Sequence, residues 1–231
     1  MTSPLKGVLY YSDNCLNMKL ALLVRRHISA SNLPITSVTL KPTGFGRNIH
    51  FKGERSFESM FQQILTGLEE MTEDVIYFAE HDVLYHPSHY EFTPPVEDVF
   101  YYNSNYWMLR LKDGLAVHYG VSPLSGLVAY REPLLIHMRE RGALIEKKGF
   151  SLHIGYEPMT HGRINWERKY KMQLFKSELP NIDIAHSNNS SWKRWDMKFF
   201  RRKPEYWEES HGYTVPGWNL IEVLKGIRKD A

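Results

Sequence analysis

Residues 73–89 set the strongest constraint on how this chain folds. Val75-Ile76-Tyr77-Phe78-Ala79 is a short β-branched and aromatic run that follows a strongly helical segment and ends abruptly in Glu80-His81-Asp82. A continuous apolar run of this length reads as a strand buried on both faces, as in a parallel sheet. That predicts an α/β fold with the acidic triplet at the strand's carboxyl end, where open α/β sheets bind their ligands. Glu80 and Asp82, one residue apart and with no Lys or Arg close in sequence, repel each other unless a cation sits between them. Oxygen ligands favour a hard ion such as Mg²⁺ or Mn²⁺, which in turn holds a diphosphate.

The preceding residues fit this picture. A first strand is predicted over 7–11, broken by Ser12-Asp13-Asn14, whose side chains hydrogen-bond locally. An amphipathic helix follows over 17–30, with Met18, Leu20, Leu22, Leu23 and Ile28 apolar and Lys19, Arg25, Arg26 and His27 wet. Ser12 or Asp13 equally suits the cap of that helix. A second strand is expected over 35–40, then a loop over 41–48 that lacks the Gly-Lys-Ser/Thr signature of a phosphate-binding loop. Ser56 reads as the N-cap of the clearest helix, because Phe57, Met60, Phe61, Ile64, Leu65, Leu68 and Met71 recur at spacings of three and four.

Composition bounds the remaining possibilities. With 231 residues, 42% hydrophobic and 24% charged, the chain is long enough for one substantial core and ordinary for a globular domain. Cys15 is the single cysteine, which excludes an intrachain disulfide and a cysteine-rich zinc site, and with a reducing compartment as the default no disulfide-linked partner is expected. No apolar stretch is long enough to span a membrane and no signal-peptide core precedes the first strand, so a cytoplasmic location is expected. The formal charge of +3 matters only where it clusters.

A hydrophobic strand followed by Glu80-His81-Asp82 resembles the DxD-type motif of the GT-A glycosyltransferases. Glu80 through His89, together with Pro180-Asn181-Ile182-Asp183-Ile184-Ala185-His186, is similar to small bacterial and phage proteins of that class. Some relatives lie beside DNA base-modification enzymes, including those related to base J glucosyltransferase. The first-position Glu departs from the plain DxD pattern. The resemblance implies an α/β, Rossmann-like nucleotide-sugar domain with a mixed central sheet. It would be a single domain over 1–231, with a nucleotide-binding half to about residue 90 and an acceptor half beyond. The implied metal ligands are Asp82, Glu80 and His186, holding Mn²⁺ or Mg²⁺ on a UDP-sugar. Tyr11, Ser12, Asp13, Gln63, Glu80 and His81 would contact the nucleotide, and residues 122–126 would line the sugar pocket. Glu157, in a loop stiffened by Pro158, resembles the acidic residue that takes the acceptor's proton in inverting enzymes. An ordinary ion pair with Arg163 or Arg168 is the competing account of it.

Three further features carry chemistry. His81, His86 and His89 with the two acids could form a zinc site, which would favour a metal-dependent hydrolase instead. Strands are expected within 97–130, where Tyr101, Tyr102, Tyr106 and Trp107 suit either core packing or stacking on a sugar or base. Residues 192–203 hold six basic residues, four aromatics and one acid. Lys193, Arg194, Trp195, Lys198, Arg201 and Arg202 would there neutralise phosphates and stack on bases, pointing to a nucleic-acid acceptor, which the resemblance implies is DNA bearing hydroxymethylated pyrimidine. A solvated amphipathic face, a non-catalytic nucleic-acid binder and a polysaccharide acceptor remain alternatives.

Overall fold

The computed structural model describes residues 3–118, 120–151, 154, 157–158, 170–186 and 207–227. The first half alternates strand and helix: β1 (Lys6–Ser12), α1 (Met18–Ser29), β2 (Ile35–Thr39), β3 (Arg47–His50), α2 (Phe57–Glu70), β4 (Val75–Glu80) and a two-residue β5 (Val83–Leu84). Next come β6 (Val99–Asn103), β7 (Tyr106–Arg110), β8 (Ala116–His118), β9 (Leu127–Tyr130) and α3 (Arg131–Lys148). The chain ends with β10 (Lys171–Phe175), β11 (Asn181–Ala185), β12 (Glu208–Ser210), β13 (Thr214–Val215), β14 (Trp218–Asn219) and a one-turn α4 (Leu220–Val223).

Seven strands form a mixed sheet in the order β10-β6-β9-β4-β1-β2-β3. Strands β3, β2, β1 and β4 run parallel, and β9 is antiparallel to both β4 and β6. The α/β class with a mixed central sheet is therefore as expected. Alternation along the central strands builds two cores. Val8, Tyr10, Val75, Tyr77 and Ala79 face α1 (Leu20, Val24, Ile28) and the second sheet. Leu9, Tyr11, Ile76 and Phe78 face α2 (Phe61, Ile64, Leu68) and α3 (Leu134, Leu135, Met138). Burial of both faces is what the unbroken apolar run of β4 demands.

The second sheet has the order β12-β8-β7-β11-β5. The Asn103-Ser104-Asn105 turn does not close a hairpin, because β6 joins the seven-stranded sheet and β7 the other. Ser104 and Asn105 bond instead across to Phe175 and Ser177. The predicted loop over 41–48 contains the first half of an edge strand, β3, and residues ahead of α3 form β9. Tyr101, Tyr102, Tyr106 and Trp107 are all buried, so they pack in the cores and offer no open stacking face.

His89 is fully buried among Tyr77, Tyr85, Tyr90 and Phe175. Asn103 Oδ1 accepts from the Asn105 and Ser177 amides, which turns its Nδ2 toward His89 Nδ1 at 3.1 Å. An amide nitrogen only donates, so Nδ1 must accept and His89 is neutral. Burial depresses its pKa to about 3. His86 is turned to Ser88. Neither joins a metal-ligand group among the described residues, so the predicted zinc cluster of His81, His86 and His89 is not formed.

Three predictions test this fold. Chemical denaturation should show Ile64→Ala losing about 2–5 kcal/mol. The Ser56 side chain accepts from the Ser59 amide as the α2 cap, and Ser56→Ala should cost about 1 kcal/mol. For His89 the folded pKa lies below the unfolded value, so the unfolded chain takes the proton first. Stability should fall as pH drops from about 6.5 toward 3. In His89→Gln the slope of unfolding free energy against pH in that window should decrease by up to ~1.4 kcal/mol per pH unit, one proton's worth.

Candidate active site

The chain places β2 and β3 on one side of β1 and β4 on the other. The strand order thus switches direction between β1 and β4, with α1 packed on one face of the sheet and α2 on the other. A crevice opens outside the carboxyl ends of the strands at such a switch point. Tyr11, Ser12 and Asp13 lie at the end of β1, and Glu80, His81 and Asp82 at the end of β4.

His186 reaches the same place from far along the chain. Strand β11 is antiparallel to β5, with Asp183 opposite Val83 and Ile182 opposite Leu84, and the Ile184 amide donates to the Asp82 carbonyl at 2.8 Å. The residues after Ala185 therefore run back past Asp82. His186 Nε2 lies 3.6 Å from Asp82 Oδ2, and His81 Nε2 lies 4.0 Å from the same oxygen. These three residues each present a ligand atom within 4.8 Å of the others. Asp82 is 8% exposed. Burial opposes its ionisation, but the His81 charge and the His186 hydrogen bond and charge outweigh it and hold the carboxyl below the ordinary carboxylate range.

The donor chemistry suits a divalent ion. Two ligand atoms each about 2.1 Å from one ion stand at most about 4.2 Å apart, and the 3.6 and 4.0 Å separations fall within that limit. One carboxylate with imidazole nitrogen is a set that a borderline ion such as Mn²⁺ accepts.

Glu80 sits apart from this group. Its partner across the parallel ladder is Tyr11, and side chains at paired positions share a face. Tyr11 Oη donates to Glu80 Oε1 at 2.7 Å. Burial and the Glu80 charge push the Tyr11 phenol far up, so it stays a donor. The chain leaves the strand immediately after Glu80, held there by Tyr85 Oη, which accepts from the Glu80 amide and donates to the Ser125 carbonyl. Period-two alternation therefore stops at Glu80, and Asp82 does not share its face.

Asp13 Oδ1 accepts from the Cys15 amide at 2.9 Å and lies 3.5 Å from His81 Nδ1, while Oδ2 pairs with Arg55. Burial resists ionisation of Asp13, but Cys15, His81 and Arg55 together lower its pKa. Asp13, Cys15 and His81 form a second group of ligand-type atoms. Burial and then Asp13 push the Cys15 thiol up to about 12, so it is protonated. Sequence reasoning did not single out Arg55 or Cys15 for this site; nothing in their local pattern marks them.

Gln63 is buried, and its Nε2 donates to the Ser12 and Val38 carbonyls, both at 2.9 Å. It ties the ends of β1 and β2 together with both amide hydrogens spent on backbone. Glu157 is half-buried and lies among Tyr102 and Arg141, whose pKa values it perturbs. Tyr102 Oη donates to the adjacent Pro158 carbonyl at 2.7 Å. Arg163, Arg168 and the whole tract 192–203, including Lys193, Arg194, Trp195, Lys198, Arg201 and Arg202, lie outside the described residues.

No family model matches the chain, and no curated protein matches it. Solved structures align only loosely. A glycosyltransferase involved in glycosylation of the major capsid of PBCV-1 aligns at TM-score 0.46 and 8% identity, over 83% of this chain and 96% of that one. The inositol-1-phosphate CTP transferase from T. maritima aligns at 0.48 and 9% identity, over 80% and 91%. The glycosyltransferase GlyE of Streptococcus pneumoniae TIGR4 aligns at 0.39 and 11%, over 74% of this chain, which spans 45% of GlyE's length. Likeness at this level carries no weight beside the topology and the site. Among the described residues no helix is long and apolar enough to cross a membrane.

Replacing Gln63 with Leu removes a buried donor from two carbonyls at the ends of β1 and β2, of which Ser12 keeps the Leu40 amide. Gln63→Leu should lower unfolding free energy by about 2 kcal/mol or more, read from the denaturant midpoint.

Proposed function

We propose that this chain is a glycosyltransferase of GT-A type that moves a sugar from a nucleotide sugar, a UDP-sugar, to an acceptor hydroxyl. The observation that carries the reading is the convergence of the buried Asp82 carboxylate and His186 imidazole, 3.6 Å apart, at the switch point between β1 and β4. Phosphate-bearing ligands bind in crevices of this kind, and the two side chains together suit Mn²⁺ or Mg²⁺. A divalent ion held there supplies Lewis-acid stabilisation of the departing diphosphate.

The chain's own groups supply the rest. Residues 11–13 lie at the end of β1 and, in this reading, meet the nucleoside. Arg55 stands on the rim, half-exposed and paired with Asp13, where a cation attracts phosphate. Glu157 takes the proton from the acceptor hydroxyl as its oxygen bonds the sugar's anomeric carbon and the bond from that carbon to the diphosphate breaks. Its neighbour Arg141 is a buried cation whose attraction holds the carboxylate in place. Transfer by this route inverts the anomeric centre.

The acceptor we infer is DNA carrying hydroxymethylated pyrimidine. Support comes from the sequence tract 192–203, whose cations and aromatics suit phosphates and unpaired bases.

Donor turnover with a panel of nucleotide sugars and Mn²⁺ tests the reading. Wild type should release nucleotide diphosphate, and Asp82→Ala should lose several kcal/mol of charge stabilisation, ~100-fold or more in rate. Glu157→Gln should lose transfer while keeping Mn²⁺-dependent UDP binding by calorimetry. Mass spectrometry of hydroxymethylated DNA incubated with mixed nucleotide sugars should show a hexose-sized mass increase. Phosphoester cleavage without donor use would point to a hydrolase instead.

A further inference from the structure

We infer that His81, through Nε2, is the third protein ligand of the divalent ion, and that Asp13 and Ser12 fix the ring so that this nitrogen faces it. The inference rests on the reading of Asp82 and His186 as metal ligands, and it gives the middle residue of the acidic triplet the place expected for Glu80.

A metal-binding imidazole presents one nitrogen to the ion and commonly gives its other N–H to an acceptor that sets the tautomer and ring angle. Both sides of His81 fit that division. Its Nδ1 lies 2.9 Å from Ser12 Oγ and 3.5 Å from Asp13 Oδ1. An ionised carboxylate can only accept, so this side calls for a proton on Nδ1. The Ser12 hydroxyl is itself held, accepting from the Asn14 amide at 3.0 Å. Asp13 is anchored on both oxygens, by the Cys15 amide and by Arg55, so the acceptor is rigid.

With the proton on Nδ1, Nε2 carries a lone pair, and that nitrogen faces Asp82 Oδ2 at 4.0 Å. His186 Nε2 approaches the same oxygen at 3.6 Å. The His81 and His186 rings stand 6.1 Å apart, tilted by 55°, with Asp82 between them. Three ligand atoms then converge from two stretches of chain, the turn between β4 and β5 (His81 and Asp82) and the exit of β11 (His186). A divalent ion between them would take the place of the His186 hydrogen bond to Asp82 and be held by all three. Glu80 has its carboxylate turned to Tyr11 and belongs to neither ligand group.

The test is Mn²⁺ titration of the full chain in the presence of UDP, read by electron paramagnetic resonance of the free ion, with circular dichroism melts confirming that each variant folds. Asp13→Ala should weaken Mn²⁺ affinity by ~10–100-fold, the effect of deleting an acceptor behind a metal-binding imidazole. His81→Ala should weaken it at least as much, whereas Glu80→Gln should bind as wild type. Asp13→Asn keeps an acceptor and should recover part of the loss. Nitrogen-15 NMR of the imidazoles with Mg²⁺ and UDP should show His81 protonated on Nδ1 alone. If His81→Ala binds Mn²⁺ as wild type while Asp82→Ala does not, or if the His81 proton resides on Nε2, the assignment is overturned and the transferase reading stands. If wild type holds no Mn²⁺ beside UDP, both are overturned.

Discussion

Burial of β1 and β4 on both faces is the constraint on which the rest of the structure depends. Their side chains alternate between a core shared with α1 and the second sheet and a core shared with α2 and α3. Neither strand can expose a face without giving up one of these layers, at roughly 25 cal/mol for each Å² of apolar surface returned to water. The two strands therefore lie side by side at the centre, and their carboxyl ends open together. The polar groups at the ends of β1 and β4 inherit their positions from that adjacency.

The crevice is assembled by a second, much smaller element. Strand β5 is two residues long, yet its antiparallel pairing with β11 brings His186 to Asp82. A ladder this short adds little stability by itself. Its register is set because β11 is also held by β7 on its other side. Around the crevice, polar side chains are spent on holding backbone: Gln63 on two strand ends, Tyr85 on the turn after β4, Asp13 on the Cys15 amide. That is how a polar site is kept in one arrangement against the conformational entropy of its loops.

Much of this was legible locally. The α2 stripe and its Ser56 cap, the apolar run of β4 and the extent of α1 all emerge as read, because each follows from side-chain period or capping chemistry within a few residues. Strands β3 and β10 were not read, and β9 was covered only by the broad expectation of strands within 97–130. The first two are edges with exposed or half-exposed residues, and β9 is four residues that run straight into α3. Such segments are strands because of what they pair with, and period alone does not mark them.

The sequence by itself determined that strands of this chain end in carboxylates and imidazoles beside a nucleotide-type α/β unit, since an apolar run and the polar break after it are properties of adjacent residues. Which of those groups stand together was decided only by tertiary structure. Alternation along a strand puts Glu80 and Asp82 on one face, but the chain turns after Glu80, which leaves it with Tyr11 and gives Asp82 to His81 and His186. Long-range strand pairing made that choice, because the partner that fixes Asp82 arrives from the far end of the chain, and no local pattern encodes a register set across two sheets.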